Sequence, residues 1–340
     1  MPEPNPDHLM RVAAGYANSK ALLSAVGMGL YTRLAEGPMT LQEICAAYDL
    51  KERPAMDWLD LLVSIELLGR DGDGAAARYR NNATTQTHLV KGQDSYLGGG
   101  LELWEMRNFR FWADFTEALH TGKAQSEVKT TGKSFFEALY EEPKRLETFM
   151  DAMHGQSYLN FERLAQKFPF DHYQTLADIG GANALLTRLI ARENAGIQCS
   201  SYDLPVVTEI ATRKIAEAGL SDRIEARTID FFNQPLPKAD LITMGMILHD
   251  WNLQQKKMLV QKAYDALPEG GAFIIIEALI DDERRKNTLG LFMSLTMLME
   301  FGDAFDFTAA EFFSWCKEAG FKKFEVIPLA GPSSAAIAYK

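Results

Sequence analysis

Cysteine is scarce in this chain. Its 340 residues hold three, Cys45, Cys199 and Cys316, far apart and odd in number. That excludes a disulfide framework and a structural zinc site built on paired cysteines, and it points to a reducing compartment. No other metal-ligand spacing is present, so no metal is expected. Long apolar runs are also missing. No stretch of about 18 apolar residues occurs, and the polar segment from Met1 to His8 lacks the apolar core of a secretory leader. No membrane partner is therefore expected, and a cytoplasmic location is. Positive charge is in deficit, with 35 Lys and Arg against 46 Asp and Glu and a net charge of −11. Broad nucleic-acid binding needs clustered basic residues, so no nucleic-acid partner is expected. What remains is the composition of an ordinary globular protein, long enough for about two domains.

The first 95 residues read as helices followed by a short hairpin. Val12, Leu22, Leu23, Val26, Met28, Leu30 and Leu34 recur at helical spacing until Gly37-Pro38. Thr40-Leu41-Gln42-Glu43 has the form of a capping box opening the next helix. Arg53-Pro54 opens a third, with Trp58, Leu59, Leu62, Val63 and Leu67 facing inward. Asp71-Gly72-Asp73-Gly74 is a turn, and Arg78-Tyr79-Arg80 reads as a strand. Three helices and a hairpin form a winged-helix pattern. With 9 Lys and Arg against 12 Asp and Glu in residues 1–100, the pattern reads as a dimerisation module rather than a DNA binder. A homodimer built on residues 9–90 is expected.

Residues 96–170 form a helical connector rich in aromatics and methionine. Gly98-Gly99-Gly100 marks a hinge or helix start. Trp104, Phe109, Phe111, Trp112 and Phe115 follow, then Phe135, Phe136, Leu139 and Tyr140, then Phe149, Met150, Met153 and His154. Such residues at helical spacing suit a core, and also the apolar wall of a small-molecule site. Arg107 and Arg110 could hold an acceptor carboxylate or simply sit on the surface.

From residue 171 to 340 the pattern alternates. Strands are expected at Thr175–Ile179, Gln198–Tyr202, Ile224–Ile229, Leu241–Leu248 and Ala272–Leu279, with helices between at Leu185–Glu193, Val206–Ala218 and Gln254–Leu267. This is the rhythm of an α/β fold with a mostly parallel, Rossmann-like sheet. Phe324–Leu329 and Ala335–Tyr339 read as an antiparallel hairpin at its end.

Ligands on such sheets bind beyond the carboxyl ends of the strands. Asp178 and Gly180-Gly181 close the first strand, Asp203-Leu204 the second and Asp230-Phe231 the third. Glycine allows close backbone approach, one acid can accept the two hydroxyls of a ribose, and the other acid and ring suit an adenine. A dinucleotide wants a further glycine for its pyrophosphate, and Ala182-Asn183-Ala184 offers none. S-adenosyl-L-methionine, which leaves S-adenosyl-L-homocysteine as product, has no pyrophosphate and fits better. Leu248-His249-Asp250-Trp251 then follows the fourth strand. Methyl transfer to a hydroxyl needs a base near the histidine reference value, and His249 alone among the six histidines sits at such a strand end. Asp250 is expected to begin the next helix.

Leu176-Ala-Asp-Ile-Gly-Gly181, Tyr202-Asp-Leu-Pro205, Asp230-Phe-Phe232, Leu248-His-Asp-Trp251, Ala266-Leu-Pro-Glu-Gly-Gly271 and Phe305-Asp-Phe-Thr308 together resemble the two-domain small-molecule O-methyltransferases. The resemblance runs from about residue 10 to the C-terminus. It implies a winged-helix dimerisation domain, a class I methyltransferase domain, a small-molecule acceptor, His249 as general base, and Glu277 with Asp306 as the acids that hold it. Asp303 lies close enough to compete with Asp306 for that role. Trp112, Met150, Met153, His154, Met293, Met297 and Phe305, with Arg107, are the expected acceptor wall. Two departures stand out. Ala182 and Ala184 replace expected glycines, so the loop should curve without left-handed geometry there or hold the cofactor less closely. Gly245 stands where many relatives carry Lys or Arg, so one cofactor contact should be missing. Two other functions fit the same residues. An S-methyltransferase acting on a thioether or thiol acid would work by positioning alone, and a non-catalytic dimeric regulator would keep only the fold.

Overall fold

Strand and helix alternate from Thr175 onward because short β-branched runs are separated by amphipathic stretches with their own start and stop signals. The computed structural model describes residues 5–133, 139–141 and 143–340; Phe135 and Phe136 lie outside the described residues. The chain divides into two units, one of Met1–Arg110 with Asp151–Gln156, the other of Phe111–Met150 with Ser157–Lys340.

In the first unit, helices Gly15–Gly27, Leu41–Tyr48 and Glu52–Ser64 surround a core of Val26, Leu30, Tyr31, Ile44, Leu59 and Leu62. The capping box at Thr40 is formed in both directions: the Glu43 amide donates to Thr40 Oγ1 at 3.3 Å and the Thr40 amide donates to Glu43 Oε2 at 2.7 Å. Three short strands follow the chain as β1 (Met39–Thr40), β2 (Gly69–Asp71) and β3 (Arg78–Arg80), paired in the order β1-β3-β2. The β2–β3 hairpin is thus present, with Gly72 and Gly74 at positive φ in its turn. Gly98-Gly99-Gly100 starts the helix Gly98–Leu103.

The second unit is built on seven strands: β4 (Thr175–Ile179), β5 (Gln198–Asp203), β6 (Ile224–Thr228), β7 (Leu241–Gly245), β8 (Ala272–Glu277), β9 (Lys323–Pro328) and β10 (Ser334–Tyr339). Their order is β6-β5-β4-β7-β8-β10-β9. β4 to β8 pair in parallel, and β10 runs antiparallel between β8 and β9, so the terminal hairpin is where the alternating sequence put it. β8 is buried along its whole length because both faces are covered. Ile274 and Ile276 enter one core with Phe168, Leu186 and Ile190, while Phe273 and Ile275 enter the other with Leu259, Val260 and Phe312. Each such isoleucine contributes about 1.5–3 kcal/mol by leaving water.

The strand order reverses between β4 and β7, which opens a crevice at their carboxyl ends. Two expectations about that edge need correction. β7 ends at Gly245 rather than Leu248, because Met246 takes φ +57 and a single 3-10 turn, Leu248–Asp250, follows. Asp250 does not begin the next helix. Asn252 does, capping Leu253–Ala266 by accepting the Gln255 amide at 3.0 Å.

Candidate active site

The loop after β4 winds through three left-handed residues: Gly180 at φ +70, Ala182 at +48 and Ala184 at +61. Of the two expectations for the alanines, a loop curved without left-handed geometry is overturned. Neighbouring strands hold the loop in place. The Gly180 and Gly181 amides donate to the Tyr202 carbonyl at 2.8 and 3.1 Å, the Ala184 amide to the Gly181 carbonyl at 2.8 Å, and the Ala182 amide to Asp203 Oδ2 at 3.0 Å. Ala182 packs beside Leu146, Met150 and Val207, and Ala184 is fully buried.

Asp203 ends β5. Its Oδ1 accepts the Leu204 amide at 2.7 Å, so two of roughly four lone-pair sites are used and the rest remain for a pair of hydroxyls. Burial pushes its pKa up to about 6, against the lowering effect of the Leu204 and Ala182 amides. Asp178 is buried on β4, accepts the Thr243 hydroxyl at 2.7 Å, and is pushed up to about 7 by burial, with Asp203 adding to the rise. Asp230 behaves differently. Its carboxylate accepts the Phe232 and Asn233 amides at 3.0 and 3.2 Å and the Asn233 side chain at 2.7 Å, which holds its pKa low and shapes the turn that displays Phe231. Lys262 fixes the same turn from outside, donating to the carbonyls of Phe231, Phe232 and Gln234 at 2.7, 2.6 and 2.9 Å. Trp251 stands edge-on to Phe232 with centroids 4.5 Å apart, tying this turn to the histidine segment.

His249 is buried in the 3-10 turn beyond β7. Its Nδ1 lies 3.4 Å from Asp306 Oδ1 and 3.6 Å from Glu277 Oε2. Glu277 closes β8, and its Oε1 accepts the Leu248 amide at 3.1 Å, which fixes the carboxylate against the turn. Of the two competing acids, Asp306 is the one that faces the imidazole. Asp303 is exposed and accepts the Asn252 side chain at 3.0 Å. The reading from sequence missed a third carboxylate: Asp250 Oδ1 lies 3.4 Å from His249 Nε2. Its adjacency in the His-Asp-Trp run was the available signal. Burial draws the imidazole's proton affinity down, but Glu277, Asp250 and Asp306 outweigh it and hold the pKa well above the usual histidine value. Glu277 is itself raised by burial. Glu277 Oε2 and both Asp306 oxygens are buried, and one oxygen of each acid faces the imidazole.

The residues expected to wall the acceptor fall in both units. Trp112, Met150, Met293, Met297 and Phe305 belong to the second, and Arg107, Met153 and His154 to the first. Trp112 stacks on Phe292 with centroids 5.5 Å apart and planes 13° off parallel. Met150 packs in a small core with Leu139, Leu146 and Val207. Arg107 is buried within a π-helical turn, Trp104–Asn108, and Arg110 follows that turn in the helix Phe109–Phe111. Gly245 stands against Phe161: a Cβ there would lie 2.7 Å from the ring's Cζ.

Known proteins resemble this chain along most of its length. Residues 112–322 match the O-methyltransferase domain and residues 10–91 the O-methyltransferase dimerisation domain. The chain is 33% identical over 335 residues to the tetracenomycin polyketide synthesis 8-O-methyl transferase of Streptomyces glaucescens, covering 98% of this chain and 97% of that one. It is 33% identical over 314 residues to an N,N-dimethyltransferase of Streptomyces rimosus, covering 92% and 90%. The structure of human N-acetylserotonin methyltransferase in complex with SAM superposes with a TM-score of 0.90 at 25% identity, covering 100% and 99%.

Proposed function

The chain belongs to the O-methyltransferase family, and from that premise we propose that it methylates the hydroxyl of an aromatic small molecule with His249 as general base. It is an S-adenosylmethionine-dependent methyltransferase acting on a small molecule. When bound, S-adenosylmethionine supplies a methyl group activated by positive sulfur, so the protein's tasks are positioning and removal of the hydroxyl proton. Asp178, Gly180, Gly181, Asp203, Leu204, Asp230 and Phe231 form the cofactor site in this reading, with Asp203 accepting the ribose hydroxyls. The αL-wound loop and the free lone pairs of Asp203 suit such a group.

One observation carries the acceptor assignment: His249 is ringed by Glu277, Asp306 and Asp250. Nδ1 is turned toward Glu277 and Asp306, and Nε2, which faces Asp250 Oδ1 at 3.4 Å, is the nitrogen that would take the proton. The acids stabilise the imidazolium that forms. They also hold its proton affinity above the usual histidine value, against the lowering effect of burial. A phenol, with a reference value of about 10, gives up its proton more readily than an aliphatic alcohol, so an aromatic hydroxyl asks less of this base. Relatives named for methylating a polyketide and N-acetylserotonin support the class. In the same reading Trp112, Met150, Met293, Met297 and Phe305 of the second unit flank the acceptor.

The dimerisation match and the exposed Leu9, Met10, Val12 and Tyr16 support a homodimer, and the helix–helix–hairpin order of residues 41–80 supports a winged-helix form for that part. The division into residues 1–95, 96–170 and 171–340 belongs to the same reading, as does a cytoplasmic setting, which rests on three free cysteines. No described helix is long and apolar enough to cross a membrane.

The test is cofactor-product release across phenols, hydroxynaphthoates, aromatic amines and thio acids, repeated with His249→Ala. A phenolic substrate whose turnover falls about 10²–10⁴-fold in the variant, with cofactor affinity kept, is the expected result. Unchanged turnover would point to sulfur methylation instead, and activity confined to amines would overturn the hydroxyl assignment.

A further inference from the structure

Helix Leu253–Ala266 buries Lys256, Leu259, Val260, Ala263 and Ala266. The spacing is that of one apolar stripe, and a lysine at its head is out of place. Lys256 is completely buried. Its Nζ sits 3.8 Å from the centroid of the Phe305 ring and 5.6 Å from that of Phe307, and it donates to the Trp251 carbonyl. An ammonium is retained in such a place only where opposite charge offsets its lost hydration.

That charge is the His249 cluster. Glu277, Asp306, Asp250 and Asp303 all act on the ammonium. They come from β8, from the segment after helix Thr288–Phe301, and from the 3-10 turn. Glu300 of that helix and Tyr140 also face Asp250. With the imidazole neutral, Asp250, Glu277 and Asp306 would place three buried negative charges around it.

We propose that Lys256 is a positioning residue for methyl transfer: its buried ammonium is the counter-charge to the carboxylates around His249, and it limits how firmly they hold a proton on the imidazole. The inference rests on His249 serving as base. Only a neutral imidazole can accept the acceptor's proton, and the carboxylates favour the charged form. A buried cation in the same cluster repels the imidazolium and offsets part of the carboxylates' charge, so a larger share of imidazole is free at neutral pH. Burial, opposed by the four acids, draws the lysine's own pKa down to about 8. The ammonium is therefore charged through the neutral range and able to act there.

The test is the pH dependence of kcat in Lys256→Gln, which keeps a donor for the Trp251 carbonyl, in Lys256→Met, and in Lys256→Arg. Loss of the charge should move the rising limb upward by about one pH unit or more, a roughly tenfold loss at neutral pH that recovers as pH is raised. The arginine variant should keep the original limb. A merely structural lysine would lower the rate at every pH and leave the limb in place, and that result would overturn the proposal. The coupling is reciprocal, which gives a readout that needs no activity and no folded charge-loss variant at Lys256. NMR of lysine labelled at Cε, with Lys256 assigned by its loss in Lys256→Arg, should show its titration moving upward in His249→Ala. An unmoved titration would also overturn the inference. Failure of the base reading is distinguishable, because His249→Ala would then turn over normally.

Discussion

The ring of Phe161 fills the space that a side chain at position 245 would occupy, since a Cβ on Gly245 would fall 2.7 Å from Cζ and 2.9 Å from Cε1. Phe161 stands on the long helix Pro143–Lys167 and joins the core beneath β7. The glycine, which from sequence alone marks a lost cofactor contact, is thus a packing requirement. Gly245→Ala should destabilise the protein by about 1–3 kcal/mol, the usual cost of overpacking. Adding Phe161→Leu should recover most of the loss. Thermal unfolding of the single and double variants checks this, and equal additive losses would show that the two positions are independent.

In the proposed cofactor site, Asp203 should give binding a pH dependence. Its raised pKa means the folded, ligand-free protein favours the neutral acid. Its contribution to stability, like that of Asp178, is therefore full at low pH and is lost as pH rises through about 6 and about 7. Binding a ribose favours the carboxylate, so affinity for S-adenosylhomocysteine should fall as pH drops below about 6. Asp203→Ala should weaken binding by about 1–3 kcal/mol at neutral pH. Calorimetry from pH 5 to 8 would contradict the assignment if affinity were flat and the variant bound normally.

Left-handed alanines carry a cost of roughly 1–2 kcal/mol each relative to glycine, partly offset because glycine frees the unfolded chain. Ala182 also sets its methyl against the cluster of Leu146, Met150 and Val207. Ala182→Gly should therefore change stability by less than about 1 kcal/mol, whereas Ala182→Val should be strongly destabilising because a β-branched residue resists positive φ. Denaturant unfolding measures both. A valine variant as stable as the parent would mean that the loop had abandoned its left-handed path.

The dimer can be tested through the exposed apolar side chains of the helix Asp7–Ala13 and its neighbour Tyr16. Light scattering should give twice 38.0 kDa for the parent chain. Leu9→Glu with Val12→Glu should shift it toward the monomer mass, since charge on an obligate apolar interface is unfavourable. A parent protein that ran as a monomer at micromolar concentration would sink the homodimer.

Much of this molecule was legible in the chain because the signals are local. Strand β4 and helix Leu185–Glu193 stand at the limits their periodicity gave, and the Thr40 capping box formed as the Ser/Thr-x-x-Glu pattern requires. Gly180, Asp203, Asp230 and His249 could be placed because strand ends in a parallel sheet converge on one edge. Tertiary structure decided what local pattern leaves degenerate. Asp303 and Asp306 are equivalent acids three residues apart in sequence, and only the packing of their segment buries one beside His249 and exposes the other. Ala182 and Ala184 take a conformation their own sterics disfavour because hydrogen bonds donated by the loop amides to the Tyr202 carbonyl and to Asp203, on a neighbouring strand, outweigh it. Asp250 joins the imidazole from a position that local pattern read as a helix start, and Lys256 is buried on a helix whose expected limits did not mark it out. A group's charge acts through space, at distances set by the fold, and not along the chain.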